Sequence, residues 1–507
     1  MKSIEIQKEI EAKLKSARLE AGFYNIIGGE RAVADSQLSV INPATGEELA
    51  TVPNIAAITL DDAVAAARKA FQSWHAIPLE RRKEAVARVL TEIEAHSEEL
   101  STLLTAEQGR PLSQARWEID LLTKHYGPAL VQMDIPEVQQ RVENIGQVFK
   151  RYTPIGVVGA IIPWNLPVLL SFAKTLAALT AGNTVVLKPS PFAPLTVLRI
   201  ADYIRELLPA GVLNTVTGGD QLGPGITSHP GIDHISFTGS VETGKRVLTS
   251  AAGTLKHVSL ELGGNDPGIV LADADPAAIA QDLFNSMFLL SGQGCICLKR
   301  LYIHESIYPA VTEALVTVAR SAKVGNGLDP ETVLGPVQNQ LQFDRLESAW
   351  DEIKKSRATI LFRGDVPPDE RGFFSPVTIL AEPPEDARFV SQEIFGPIRS
   401  VFKYKTVDEA VARANKTSYG LGASVWGRNS DELERVARRL EAGTVWINQH
   451  AVRNAFVPAT AYKNSGIGVE FGQEGLLEYC HLQVIAAKQT LRQKNNRQRV
   501  ESNPSGI

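Results

Sequence analysis

The sequence predicts an α/β protein with two doubly wound α/β domains and a small β arm, and three observations carry that expectation. Short β-rich runs alternate with helical ones from about residue 154. The same rhythm restarts after residue 262, and two extended segments belong to neither series. Strand, helix, strand repeated in this way is the pattern of a parallel sheet covered by helices. At 507 residues the chain is also too long for one compact core, so two or three domains are expected.

The elements follow in chain order. Up to about residue 134 the pattern is mostly helical, with apolar residues at helical spacing over 60–74, 79–107 and 111–126. Strands are then expected at 156–162, 184–188, 212–216, 234–237 and 257–260, with helices over 166–179, 194–208 and 241–252 between them. The second series has strands at 268–271, 300–304, 424–426 and 443–447, and helices ending near 290 and 322 and spanning 431–440. One domain is therefore placed at 1–134 and 153–260 and the other at 261–472, meeting near 261–264. The extended segments, taken with their flanks as 135–152 and 473–487, read as an arm suited to oligomerisation. The polar, basic tail 488–507 is expected to be disordered or lightly tethered.

Composition narrows the function classes. Hydrophobic residues make up 44% and charged residues 21%, and the net charge of −5 leaves no basic footprint for nucleic acid or an anionic membrane. Three cysteines fit a reducing compartment better than a disulfide framework, and no set of metal ligands stands out. Residues 1–20 alternate charge without an apolar segment, and the best apolar run, 168–181, carries Lys174. A cytoplasmic location is the expectation, with no membrane and no nucleic-acid partner.

Three short motifs carry chemistry. In Gly292-Gln293-Gly294-Cys295 a cysteine sits on permissive backbone just before a strand, where its sulfur can be presented to a cleft. Alone it reads as a small core residue. Glu261, in Leu260-Glu261-Leu262-Gly263-Gly264, ends an apolar strand on the side where α/β sheets bind ligands. Alone it reads as a solvated strand end or a helix cap. Asn165, in Ile162-Pro163-Trp164-Asn165, offers an amide donor on a loop after another strand. Together they are what aldehyde oxidation needs: a thiol nucleophile, a base that activates it and later a water, and a donor for the oxyanion. A free thiol has a pKa of about 8.5, so Cys295 needs help to attack near neutrality. Glu261 as base is worth about 10²–10⁴-fold, and loss of one oxyanion donor costs about 3 kcal/mol. Cys297, two residues on, is read as packing.

No Gly-x-Gly-x-x-Gly occurs in the chain. Val186-Leu187-Lys188-Pro189-Ser190 and Phe237-Thr238-Gly239-Ser240 can replace it, with Ser240 as the cap of a helix whose amino end suits phosphate. The stretch Gly239 to Lys245 also fits the phosphate loop of nucleotide triphosphatases, but Arg246 stands where a Ser or Thr should hold Mg²⁺.

Taken in order, Pro-Trp-Asn165, Lys188-Pro-Ser, the 237–244 turn, Glu261-Leu-Gly-Gly, Gly-Gln-x-Cys295 and Glu393-Ile-Phe395-Gly-Pro resemble the aldehyde dehydrogenase superfamily over about 38–487. The resemblance implies a cofactor-binding domain, a catalytic domain and a bridging arm in a homodimer or homotetramer that takes an aldehyde and NAD. It implies Cys295 as nucleophile, Glu261 as base, and Asn165 with the Cys295 N–H as oxyanion hole. Cofactor contacts follow at Ile162, Pro163 and Ser190, with Ser240 and Trp164 as the pyrophosphate site and Lys188 as the adenosine-ribose ligand. Gly219, Gly239 and Leu262 lie beside the dinucleotide, and Glu393 with Phe395 clamps the nicotinamide ribose. Glu261 also implies an acid-forming rather than CoA-acylating enzyme. A non-catalytic relative kept for binding or structure is disfavoured by the intact Cys295, Glu261 and Asn165.

The chain departs from the family in three places. Pro191 replaces an acidic residue common after Lys-Pro-Ser, which points to NAD use with NADP tolerated. Ala459-Thr460-Ala461 replaces the usual Phe-Gly-Gly, and Ala173 replaces a frequent large aromatic. With Leu166, Leu170, Ala173 and Ala459 lining the tunnel, the expectation is a bulky, apolar or aromatic aldehyde. Arg453, in the same loop as Ala459, is a candidate for a carboxylate or hydroxyl preference. The null alternative is that neighbours such as Phe172 or Phe456 refill the space.

Overall fold

A computed structural model describes residues 2–367 and 371–488. The expectation for the tail falls on residues outside this range, Lys488 apart. Two parallel sheets dominate. The first has eight strands in the order Gly466–Ile467, His257–Glu261, His234–Thr238, Val157–Ile161, Thr184–Lys188, Leu213–Thr215, Asn25–Ile27 and Glu30–Ala32. Its five central strands pair in parallel, so that Ile161 lies beside Lys188 and Thr238 beside Glu261. The chain leaves Val157–Ile161 in one direction through two strands, then returns to its other side for the next two. That reversal makes a crevice between the carboxyl ends of Val157–Ile161 and His234–Thr238, the place where open α/β sheets take ligands.

The second sheet has seven strands in the order Thr359–Arg363, Thr378–Ala381, Ile398–Tyr404, Leu298–His304, Asp266–Val270, Gly422–Trp426 and Thr444–Ile447, parallel except for its first pair. Helices cover both faces. Pro167–Ala181 is buried at every residue because it runs between the first sheet and the amino-terminal helices, which explains its apolar run.

Four corrections to the sequence reading are structural. The amino-terminal part is mostly helical but also carries four strands: Asn25–Ile27 and Glu30–Ala32 extend the first sheet, and Ser36–Asn42 pairs with Glu47–Asn54 as a separate hairpin. The first pair turns on Gly28 and Gly29, both in the left-handed region, and three-residue strands are too short to show a period. The long helical stretch 79–107 breaks at His96 into Leu79–Ala95 and Ser97–Gln108. Segment 323–421, where no strand was expected, contributes three strands to the second sheet. Gly466–Ile467, placed by sequence with the second domain, pairs antiparallel with His257–Glu261 and closes the edge of the first sheet.

The arm is a three-stranded antiparallel sheet in which Gly146–Pro154 lies between Val138–Val142 and Cys480–Ala487. Val138, Leu482 and Val484 on it are exposed.

Candidate active site

The two sheets meet the crevice with opposite ends. Ile162, Asn165, Lys188, Gly219, Gly239, Ser240 and Glu261 all sit at or just past the carboxyl ends of the first sheet's strands. Cys295 and Glu393 lie a few residues before the amino ends of Leu298–His304 and Ile398–Tyr404 in the second.

The cysteine loop is shaped by backbone. Leu290, Ser291 and Gly292 all have φ between 54° and 75°, so the chain folds back on itself after the helix Pro276–Phe288. At Gly292 a Cβ would lie 2.3 Å from the Gly396 carbonyl oxygen, so only glycine fits there. Cys295 is half-buried, and its Sγ donates to Glu261 Oε1 at 3.7 Å. Burial above all, and then the Glu261 carboxylate, push the thiol pKa well above its usual value, while Lys299 and Arg453 pull it down. Cys297 is buried and donates to the Leu289 carbonyl.

Asn165 reaches the same loop from the other sheet. Its Nδ2 donates to the Gln293 carbonyl at 3.1 Å, which leaves the second N–H of the amide for another acceptor. Its own carbonyl accepts from Arg110 Nη2 at 2.6 Å. Arg110 is ion-paired with Glu118, and Glu118 Oε1 accepts from the Val168 and Leu169 N–H groups at 2.9 and 2.8 Å. A buried Arg–Glu pair therefore holds both the Asn165 loop and the start of the helix after it.

Glu261 does not act alone. It is hydrogen-bonded to Glu470, which is ion-paired with buried Lys174, and Arg453 Nη2 stands 3.9 Å from Glu261 Oε1. Burial, and next the Glu470 charge, raise the Glu261 pKa to about 8. Glu470 is held below the ordinary carboxylate range by Lys174 and Arg453, against its own burial. Glu470 and Lys174 escaped the motif search because they lie 296 residues apart. The signal that could have found them was a lysine inside an otherwise apolar helix, which demands a buried partner.

A dinucleotide cradle is consistent with the crevice. Lys188 is buried, makes among the described residues one long 3.5 Å contact to the Pro189 carbonyl, and has its pKa lowered to about 8 by burial against the pull of Asp220. It is an ammonium short of acceptors. A Cβ on Gly219 would meet nothing within 4 Å, and the Gly219 N–H is held by Asn54 Oδ1 at 3.1 Å. Ser240 caps the helix Val241–Ala252 by accepting from Thr243 N–H, and Gly244 lets that helix close on Leu262. Lys245, the lysine of the phosphate-loop pattern, is exposed. Ile162 N–H donates to the Lys188 carbonyl, while Ser190 Oγ accepts from Phe192 N–H within its own turn. Pro163 and Trp164 are half-buried, and the Trp164 ring meets Phe395 edge-on at 5.3 Å, closing the crevice between the two sheets. Glu393 accepts from Gly264 N–H at 3.3 Å and lies 3.1 Å from Lys299 Nζ.

The substrate side differs from expectation. The space beside Ala173 is filled by Tyr126 and Phe471, whose rings meet edge-on at 5.3 Å, and a cavity of only about 10 Å³ remains there. The void at Ala459 is also about 10 Å³, because Ala459 and Glu470 exchange two backbone hydrogen bonds that draw the chains together. Neither Phe172, which is wholly buried, nor Phe456, which is exposed, lines either of these two spaces. A larger cavity of about 440 Å³ lies further out, lined by Trp117, Leu121, His125, Ala455 and Phe456 among others. Arg453 lines it; Leu166, Leu170, Ala173 and Ala459 do not. Arg453 thus stands between this cavity and Glu261.

The whole-chain comparisons agree with one another. A model described as the aldehyde dehydrogenase family matches residues 31–485. A phenylacetaldehyde dehydrogenase of Pseudomonas fluorescens is 38% identical over 476 residues, covering 90% of this chain and 93% of the relative. An aldehyde dehydrogenase from Bacillus cereus solved as an NAD+ complex superposes with a TM-score of 0.89 at 35% identity, covering 93% of this chain and 97% of that one. A mutant aldehyde dehydrogenase C from Pseudomonas syringae, solved with NAD+ and octanal, gives 0.88 at 35% identity, covering 94% and 98%.

Proposed function

The chain belongs to the aldehyde dehydrogenase family, and from that premise we propose that it oxidises a bulky apolar or aromatic aldehyde to the acid with Cys295 as nucleophile and Glu261 as base. It is an NAD(P)-dependent enzyme of aldehyde oxidation. The observation that carries the residue assignment is the Cys295 Sγ to Glu261 Oε1 approach of 3.7 Å, with the Asn165 amide held on the cysteine's own loop.

In this reading Glu261 takes the thiol proton and the sulfur bonds to the carbonyl carbon. The free N–H of Asn165 and the Cys295 backbone N–H hold the oxygen that becomes negative. NAD+, when bound, supplies the hydride acceptor; Lys188, Ser240, Trp164, Glu393 and Phe395 are the residues that would hold it. The acyl group then rests on Cys295 as a thioester. Glu261, ionised again, removes a proton from water as the water's oxygen attacks the thioester carbon, and the C–S bond breaks to release the acid. Glu470, hydrogen-bonded to Glu261 and paired with Lys174, is the more acidic of the two, so the proton taken up rests on Glu261.

The outer cavity of about 440 Å³ supports the bulky substrate, and the relative named for phenylacetaldehyde points the same way. No helix among the described residues is long and apolar enough to cross a membrane. A cytoplasmic homodimer or homotetramer joined through the arm fits the exposed Val138, Leu482 and Val484.

The test is cofactor reduction followed by absorbance with an aldehyde panel, beside phosphate release from ATP as a control. Cys295→Ala should lower aldehyde oxidation by at least about 10⁴-fold and abolish side esterase activity. Glu261→Gln should slow acid release by about 10²–10⁴-fold and leave the acyl group on Cys295, visible as added mass on the intact protein. Full turnover by Cys295→Ala sinks the assignment.

A further inference from the structure

Beneath the nucleophile loop lies a buried polar group that the reaction described above does not use. Lys299 Nζ donates to the Gly294 carbonyl at 3.0 Å and to the Cys295 carbonyl at 2.6 Å, and lies 3.1 Å from Glu393 Oε1. Its side chain is 4% exposed. An ammonium has three donors, and these three oxygens match them. The next carbonyl, of Ile296, is held at 2.9 Å by His450 Nε2, which is itself buried and faces Asp266 at 3.7 Å. Three successive peptide oxygens around the nucleophile are thus fixed from below by two side chains.

Lys299 is the one that reaches the cofactor side. Its acidic partner Glu393 is the residue read above as the clamp on the nicotinamide ribose. Glu393 has little freedom on its inner face, since a Cβ at Gly263 would lie 2.2 Å from its Oε2. We propose that Lys299 is a positioning residue that couples dinucleotide binding to Cys295, its ammonium shared between Glu393 and the Gly294 and Cys295 carbonyls. This rests on the cofactor reading of Glu393.

The direction follows from charge. Four charged groups act on the thiol: Glu261 and Glu393 oppose its ionisation, and Lys299 and Arg453 favour it. Around Lys299 itself, Asp266 is a buried acid whose pKa is raised to about 7 by burial, and His450 is kept neutral by burial. When Glu393 accepts a hydrogen bond from a ribose hydroxyl, its charge is drawn from Lys299. The ammonium is then less neutralised and bears more fully on Cys295. Binding should therefore make the thiol ionise at lower pH.

The experiment measures iodoacetamide alkylation of Cys295 across pH, with and without NADH. NADH carries the ribose but an uncharged dihydronicotinamide, so the ring cannot supply the effect, and the midpoint of the profile is insensitive to partial blocking of access. In the wild type, saturating NADH should lower the midpoint by about 0.5–1 unit. In Lys299→Met the free-protein midpoint should rise and the NADH-induced shift disappear, while Lys299→Arg should restore part of both. Should Lys299→Met fail to fold, Glu393→Gln breaks the bridge from the other end. It should lower the free-protein midpoint and abolish the NADH shift. An equal NADH shift in wild type and Lys299→Met overturns the proposal, as does a wild type that binds NADH with no shift. Absence of NADH binding, read separately by fluorescence titration, overturns the cofactor reading on which it rests.

Discussion

The two sheets build the same crevice by different means. In the first, most site residues fall within two residues of the strand's hydrogen-bonded ladder: Lys188 and Glu261 are the last residues of their strands, and Ser240 is two residues past one. Strand pairing alone fixes their height. Asn165, four residues beyond its strand, needs the Arg110–Glu118 pair as well. In the second sheet the chain enters the site before each strand begins, so no ladder is available. Its loops carry two non-glycine residues in the left-handed region, Leu290 and Ser291, each costing about 1–2 kcal/mol. Buried cations compensate. Arg399 alone donates to carbonyls of Met287, Gly292, Ile394, Gly396 and Ile398, tying the cysteine loop to the Glu393 loop. A parallel sheet thus positions catalytic groups cheaply at its carboxyl ends, and at its amino ends it needs side-chain braces.

The sharpest way to break this comparison is to remove the brace. Arg399→Met takes the guanidinium donor from the Met287, Gly292 and Ile394 carbonyls, at about 1–3 kcal/mol for each that finds no water. The expected result is a lowered melting temperature and a fall in kcat of at least about 100-fold, with NADH affinity reduced less, through the Glu393 loop only, because the first sheet is untouched. Unchanged kcat would mean that the cysteine loop holds its own shape.

The counterpart on the first sheet is Lys188→Met. Loss of a hydrogen bond from a charged donor is worth about 1.5–3 kcal/mol, so KM for NAD should rise about 10–100-fold while kcat stays near wild type. A matching loss of kcat would show that the carboxyl ends are less independent than their ladders suggest. The same residue bears on cofactor choice. Pro191 beside it carries no carboxylate to repel a 2′-phosphate, so NADP should be used within about a thousandfold of NAD, roughly 4 kcal/mol. A stricter preference would point to another excluding residue.

How much of this was legible in the sequence divides along the same line. Cys295, Glu261, Asn165, Lys188 and Ser240 were readable because each sits where an apolar run ends against glycine, proline or asparagine, a local signal. Lys299, Arg399, His450, Glu470 and the Arg110–Glu118 pair act through contacts that no spacing encodes. Lys299 stands just before a run that reads as plain β structure, and Arg399 lies in a segment where the sequence shows no strand at all. Ala173 misled for the same reason. Helical periodicity puts Ala173 on one face with Leu166 and Leu170, but the volume beside it is set by Tyr126 and Phe471, from segments far away in the chain.

A smaller effect concerns the carboxylate pair that bridges the two halves. Glu261 must be ionised to accept a proton, and its pKa is raised to about 8, so the rate of acid release should climb as pH rises through that region. Glu470 contributes to the rise with its negative charge. Glu470→Gln removes that charge and leaves Lys174 unneutralised, and both changes favour the ionised Glu261. The pH profile should therefore move to lower pH. A shift to higher pH would reverse the assigned sign.

The last expected effect, and the one that tests the mouth of the site, is on substrate size. The interior beside Ala173 and Ala459 is closed, with about 10 Å³ at each, so bulk must be accommodated in the outer cavity of about 440 Å³. Trp117, Leu121 and Phe456 give that cavity one apolar side beside Asp120, Lys124 and His125, and each buried CH₂ is worth about 0.8 kcal/mol, roughly fourfold. Values of kcat/KM should then rise from acetaldehyde to hexanal, with a substituted benzaldehyde at least as good as hexanal. Trp117→Ala should flatten that series, because it removes wall area that only the longer substrates touch. Arg453 adds a second axis at the cavity's inner end, where its guanidinium can face a substrate carboxylate as well as Glu261. Comparing 4-carboxybenzaldehyde with 4-methylbenzaldehyde in the wild type and in Arg453→Leu reads that axis separately from size. If acetaldehyde proves the best substrate, the outer cavity does not take part in recognition, and the relation drawn here between the mouth of the site and its substrate is wrong.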